Sequence, residues 1–205
     1  MRVKLAVVFV AVAAALAAIG GDAQTAAGVG EVERTKLAVN ASLGGDKRTL
    51  HPAAQVFLKE TVETGDAARA SLRFNDRTQV TLGEKASLLV DEFVFARGGD
   101  TVLNLARGAL RYTSGIGKDP TREVRLVTSV ATIGIRGTDF WVGPIDGAVG
   151  VVLLDGVVEI ANAGGTVVLD EPREGTLIFG AAVAPGQAAI WPDERIARAL
   201  ATTGF

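Results

Sequence analysis

Arg136 and Asp139 stand three residues apart around Gly137, in the stretch TSVATIGIRGTDFWVG at residues 128–143. An arginine carries five N–H donors in a planar fork. That is enough to tie down a carboxylate and loop carbonyls, or to present a cation to a ligand or partner. Arg136 follows the run Thr132, Ile133, Gly134, Ile135, so the chain is expected to leave the core there. Gly134 and Gly137 remove side chains where backbones approach closely. The expectation is a structural bracket from Arg136 to Asp139, whose loss in Arg136→Ala costs ~1 kcal/mol and lowers the melting temperature by several degrees.

Other reactive side chains are sparse or scattered. His51 is the single histidine, so any histidine-based triad would need it, and it sits in a loop-like Leu-His-Pro stretch with no partner in view. There is no nucleophile elbow, no HExxH and no dinucleotide or P-loop glycine spacing before a helix. With no cysteine, neither disulfides nor thiolate metal ligation can occur. No catalytic residue, metal site or cofactor is therefore expected. A carboxylate pair in a cleft could hydrolyse glycosides, but nothing pairs any two of Asp66, Asp76, Glu84, Asp91, Glu92, Asp100, Asp139, Asp155, Glu159, Asp170, Glu171 and Glu174. Turn chemistry alone accounts for Gly65–Asp66 and Asp155–Gly156.

The elements that would position these residues are short and β-like. Gly makes up 25 of 205 residues, above the usual ~7%. ARASLRF (68–74) alternates, with Ala70, Leu72 and Phe74 on one face. Asn75–Asp76 begins a turn, and QVTL (79–82) repeats the alternation with Val80 and Leu82. Further segments run through 36–43, 54–64, 86–96 (with a phase change near Asp91) and 100–115, which is interrupted at Gly108. The pattern continues to Trp191. Nothing between them is long enough for crossover helices, which excludes an α/β fold. The expected fold is all-β, with short stacked strands in a β-solenoid or roll; the alternative is a β-sandwich. PDERIARAL (192–200) alone reads as a helix, with Ile196 and Leu200 on one face. Phe140, Trp141 and Tyr112 are expected in the core, and Trp191 at the end of the β-body.

The chain opens on a basic MRVK followed by a continuous apolar run to Gly21. This is the form of a secretory signal peptide over residues 1–23, ending at Ala15-x-Ala17 or Gly21-x-Ala23. The alternative is an uncleaved membrane anchor, barely long enough against the roughly 20 apolar residues a span needs. Residues 24–34, small and polar, are expected to be a flexible start to the mature chain. A β domain over 35–191 and a helix with tail over 192–205 complete the expected organisation. A net charge of -2 gives no electrostatic case for nucleic acid.

Four stretches together resemble the FecR-domain family. They are the Thr64–Gly65–Asp66 turn, the Phe74–Asn75–Asp76 turn, the Leu105-to-Arg111 run around Gly108, and the signature Thr132, Ile133, Gly134, Ile135, Arg136, Gly137, Thr138. The resemblance covers about residues 35–180. It implies a periplasmic, all-β, non-enzymatic domain. The family's namesake relays iron-siderophore status from an outer-membrane receptor to a cytoplasmic sigma factor. Here Met1–Lys4 alone precede the apolar run, so direct sigma-factor contact is not expected. The resulting expectation is an exported domain that binds an envelope protein or a cell-surface polysaccharide. The alternatives are a periplasmic sensor or regulator in iron-type signalling that acts through a separate membrane partner, and, more remotely, an envelope glycan hydrolase.

Overall fold

The computed structural model describes residues 28–93, 101–115 and 124–205. The expected signal peptide, its cleavage positions, residues 24–27 of the expected flexible start, residues 94–96 of the segment 86–96 and residue 100 lie outside the described residues. The chain forms β1 (Gly28–Lys36), β2 (Val39–Leu43), β3 (Asp46–Thr49), β4 (Gln55–Phe57), β5 (Thr61–Thr64), β6 (Arg69–Phe74) and β7 (Gln79–Leu82). Then come β8 (Ser87–Phe93), β9 (Thr101–Arg107), β10 (Leu110–Thr113) and β11 (Val124–Thr128). The remaining elements are β12 (Thr132–Ile145), β13 (Ala148–Asn162), β14 (Gly165–Leu169), β15 (Glu174–Ile178), β16 (Ala189–Ile190) and one helix, α1 (Asp193–Ala201). No helix among the described residues is long and apolar enough to cross a membrane.

All strands of the described residues belong to one curled, solenoid-like sheet. Its hydrogen-bonded path runs β3-β2-β5-β8-β9-β11-β12-β10-β7-β6-β1-β4. The hinge of this path is the long β12–β13 hairpin, closed by Asp146 and Gly147, whose φ values of 51° and 77° suit a tight two-residue turn. The first half of β12 (Thr132–Ile135) pairs with β11, and the second half (Asp139–Val142) pairs with β10. Likewise β13 gives its far half to β14 and its near half to β15. The chain thus passes repeatedly between two arms of one sheet, whose inward residues form a single core.

Period-two patterning explains which residues enter it. Ala70, Leu72 and Phe74 are buried, as are Val80 and Leu82, and Ile133 and Ile135. The phase change near Asp91 is a register shift between Val90 and Glu92. A second, smaller core forms on the outer face, where Trp141, Val152, Ile145 and Trp191 meet Ala199 of α1, with Ile196 and Leu200 packed beside them. Each such large apolar side chain contributes roughly 1.5–3 kcal/mol on burial, which docks a helix too short to stand alone. Pro192 is the residue just before α1, and Trp141 Nε1 donates to Thr202 Oγ1 at 2.9 Å at its other end.

Two local expectations are corrected. Residues 28–34 are not a flexible start: they form most of β1, with Val29 and Val32 fully buried against β6 and β4. Register shifts at Gly28/Gly30 and Val32/Arg34 break the period-two signal, which hid the strand. Residues 54–64 are not one strand but two, β4 and β5, in different parts of the sheet. The chain turns between them at Lys59, with φ 64°.

Candidate functional site: the signature strand and its outer face

The signature Thr132–Thr138 lies on β12, beside the bulge that bends the hairpin. Its inward half, Ile133 and Ile135, is core; its outward half is Thr132, Gly134 and Arg136. Register shifts flank Asp139, opposite Asp155 on β13. Gly137 and Gly156 take positive φ here, 56° and 90°. A Cβ on Gly156 would stand 2.5 Å from the Gly137 carbonyl oxygen, so the bulge requires glycine at that position. Asp155 and Gly156 are therefore not a chain-reversing turn, as their sequence suggested. They are a bulge inside the continuous strand β13.

Thr138 is 2% exposed, and its backbone is fastened on both sides. Its N–H donates to Ser114 Oγ at 2.9 Å, and its carbonyl accepts from the Ser114 N–H at 2.9 Å. Asp139 is gripped by Arg111 on β10, Nε to Oδ1 at 3.0 Å and a terminal nitrogen to Oδ2 at 2.7 Å. The hydrogen bond to Asp139 raises the Arg111 pKa above its ordinary value, against the lowering effect of burial. The expected Arg136–Asp139 bracket is thus replaced by an Arg111–Asp139 pair. Arg136 is exposed and makes no hydrogen bond or ion pair among the described residues. The bulge turned Asp139 toward β10 and left Arg136 facing outward. Gly134 behaves differently from Gly156: a Cβ there would meet nothing nearer than Glu159 O at 3.8 Å. The fold does not demand glycine at 134. An unexplained strand glycine suits close approach by another molecule.

The turn residues occupy defined places. Gly65 and Asp66 lie between β5 and β6, where Lys85 pairs with Asp66 at 2.7 Å. Thr64 Oγ1 donates to Gly83 O at 2.6 Å and accepts from the Ala86 N–H at 2.8 Å, tying this turn to the next. Asp76 Oδ1 accepts from the Thr78 N–H at 2.9 Å in the β6–β7 turn. Gly108, φ 87°, packs against Ala86 between β9 and β10. His51 is exposed in the β3–β4 connection. No group of three or more His, Cys, Asp or Glu among the described residues could hold a metal ion.

One buried charge escaped the sequence reading altogether. Glu60 is 1% exposed and receives Arg48 Nε and a terminal nitrogen at 2.9 Å each, together with the Phe57 N–H at 3.0 Å. Arg48 also reaches Gln55 O at 2.5 Å, so it closes β3 over β4. The partners are twelve residues apart in an unpatterned stretch, and no local signal marks them. On the outer face of β6, β7 and β10, two shallow polar grooves of about 350 and 580 Å³ share Gln79.

Residues 60–159 match the family model described as "FecR protein". No curated protein matches the sequence. Two crystal structures of a candidate anti-sigma factor from Parabacteroides distasonis, at 1.65 and 2.50 Å, share the fold. The first aligns with a TM-score of 0.57 at 13% identity, over 68% of this chain and 64% of that one. The second gives 0.57 at 14%, over 68% and 63%. The aligned region spans less than two thirds of that protein's chain, and at this identity the likeness is one of fold. By its matched sequence and its curled all-β architecture, residues 60–159 are the FecR-like part of a β-body that begins at Gly28.

Proposed function

We propose that this chain is an exported, periplasmic FecR-like domain that works in envelope signalling by binding a protein, with the response carried by a separate membrane partner. One observation carries the reading. Within the matched region, the outward half of β12 presents Thr132, Gly134 and Arg136, which has no ion-pair partner among the described residues, while the inward half already meets the needs of the core. An exposed guanidinium on a paired strand is suited to a carboxylate or carbonyl of another protein. The fold shared with a candidate anti-sigma factor supports a regulatory role over a catalytic one. The basic-then-apolar opening of the sequence supports export.

A second reading, a surface polysaccharide as ligand, draws on the polar grooves that share Gln79. Their side chains are largely engaged with one another: Glu33 accepts from Ser71 and Gln79, and Arg111 is committed to Asp139. That leaves fewer free groups for sugar hydroxyls and places the protein partner first. Affinity capture from intact envelopes with the mature chain tests both. The reading expects a single stoichiometric protein; recovery of glycan without protein would overturn it.

A further inference from the structure

Four strands of the described sheet have a free edge: β3, β4, β14 and β16. An unpaired edge offers a row of N–H and C=O groups to any passing strand, and proteins guard such edges with charge or brevity. Three of the four are guarded. β3 is Asp46-Lys47-Arg48-Thr49, three charges in four residues. β4 has three residues and β16 two. β14 is Gly165-Thr166-Val167-Val168-Leu169: five residues, uncharged, without proline and mostly β-branched. Its pairing with β13 satisfies one edge, and Val168 is 43% exposed.

The surroundings of this edge state what it would accept. Glu159 lies directly across from Val168 on β13, and Asp170 and Glu171 follow β14. All three are exposed, and none is in an ion pair among the described residues, whereas Glu31, Glu60, Glu63, Asp66, Asp91, Asp139 and Asp146 all are. Asp170 and Glu171 are held in place because their N–H groups donate to Glu174 Oε2 at 3.0 and 3.1 Å. Arg136 lies on β12, two strands further in, beyond Val157.

We propose that β14 is the docking edge for an extended segment of a partner protein, one with alternating β-branched residues and a lysine or arginine facing Glu159 and Asp170. The segment adds as a strand: backbone pairing supplies affinity, and the acids select the basic partner. This deepens the protein-binding reading above and rests on it. The edge can nevertheless be tested without the natural partner.

The probe is the synthetic peptide Lys-Thr-Val-Thr-Val-Thr-Lys, with its Glu-ended counterpart as control, added to the purified protein while amide hydrogen exchange is followed by NMR. The Lys peptide is expected to slow exchange within Thr166–Val168 by about tenfold or more, with no change on β3. The Glu peptide is expected to do so weakly, and Glu159→Lys to reverse the preference. Val168→Lys is expected to abolish the effect while leaving the melting temperature in place. Three results would overturn the proposal. One is no slowing with either peptide, another is equal slowing with both, and the third is concentration-dependent protection of β14 without peptide, which would make a second copy of this chain the occupant. A null peptide result beside successful envelope capture would remove this edge and keep the binding reading. A positive result beside failed capture would do the reverse.

Discussion

Asp139 accepts two hydrogen bonds from Arg111 across the β10–β12 ladder, at 3.0 and 2.7 Å. The pair fixes the outlet of the bulge while Arg136, three residues earlier, points outward. The two arginines should therefore separate experimentally. Arg111→Ala is expected to cost ~0.5–1 kcal/mol, after allowance for the partial exposure of the pair, or about 1–4 °C in melting temperature. Arg136→Ala is expected to stay within the roughly ±0.5 kcal/mol of an ordinary surface change. Thermal melts of both variants check this.

The glycines of the same hairpin divide in a similar way. Gly156→Ala forces a Cβ to 2.5 Å from a carbonyl oxygen at φ 90°, and is expected to destabilise by ~2–3 kcal/mol. Gly134→Ala meets ordinary van der Waals distances and is expected to leave the urea midpoint unchanged. Parallel urea titrations of the two variants compare them.

At the opposite edge, the partly exposed Arg48 pairs with the buried Glu60. Arg48→Ala leaves the Glu60 carboxylate buried with the Phe57 N–H, and is expected to cost ~3 kcal/mol. Adding Glu60→Leu removes the stranded charge and is expected to recover part of that loss. If the double variant is less stable than Arg48→Ala, burial of the charge is not the cause.

Asp146, in the tip of the β12–β13 hairpin, binds Arg198 at 2.9 Å and Arg195 at 3.0 Å, which moors α1. The Arg198 hydrogen bond lowers its pKa, against a smaller raising effect of burial. A carboxylate with a lower pKa folded than unfolded stabilises fully above its unfolded value, ~3.9. That contribution is lost as pH falls from there through the folded value. Asp91 behaves alike through Lys59. Melting temperature from pH 6 down to about 3 is expected to fall less steeply in Asp146→Asn than in the wild type.

Much of the architecture is legible where side chains alternate without interruption. Residues 68–74 and 79–82, Ile133 and Ile135, the phase change at Asp91 and the terminal helix all follow from local periodicity. The bulges are where that reasoning fails. They hid β1, turned Asp155–Gly156 from an apparent turn into strand, and directed Asp139 to a partner 28 positions away. Strand order and the Arg48–Glu60 pair depend on long-range pairing, which no window of sequence encodes by itself.

On the proposed function, the outward half of β12 serves a protein partner and not the fold. Side-by-side capture from intact envelopes by the wild-type chain and Arg136→Ala, with the melting temperature of each, tests it most directly. A single stoichiometric protein is expected on the wild type, about tenfold less on the variant (~1.4 kcal/mol of binding), with closely matched melting temperatures. Equal recovery on both chains, or a variant that melts several degrees lower, would contradict it.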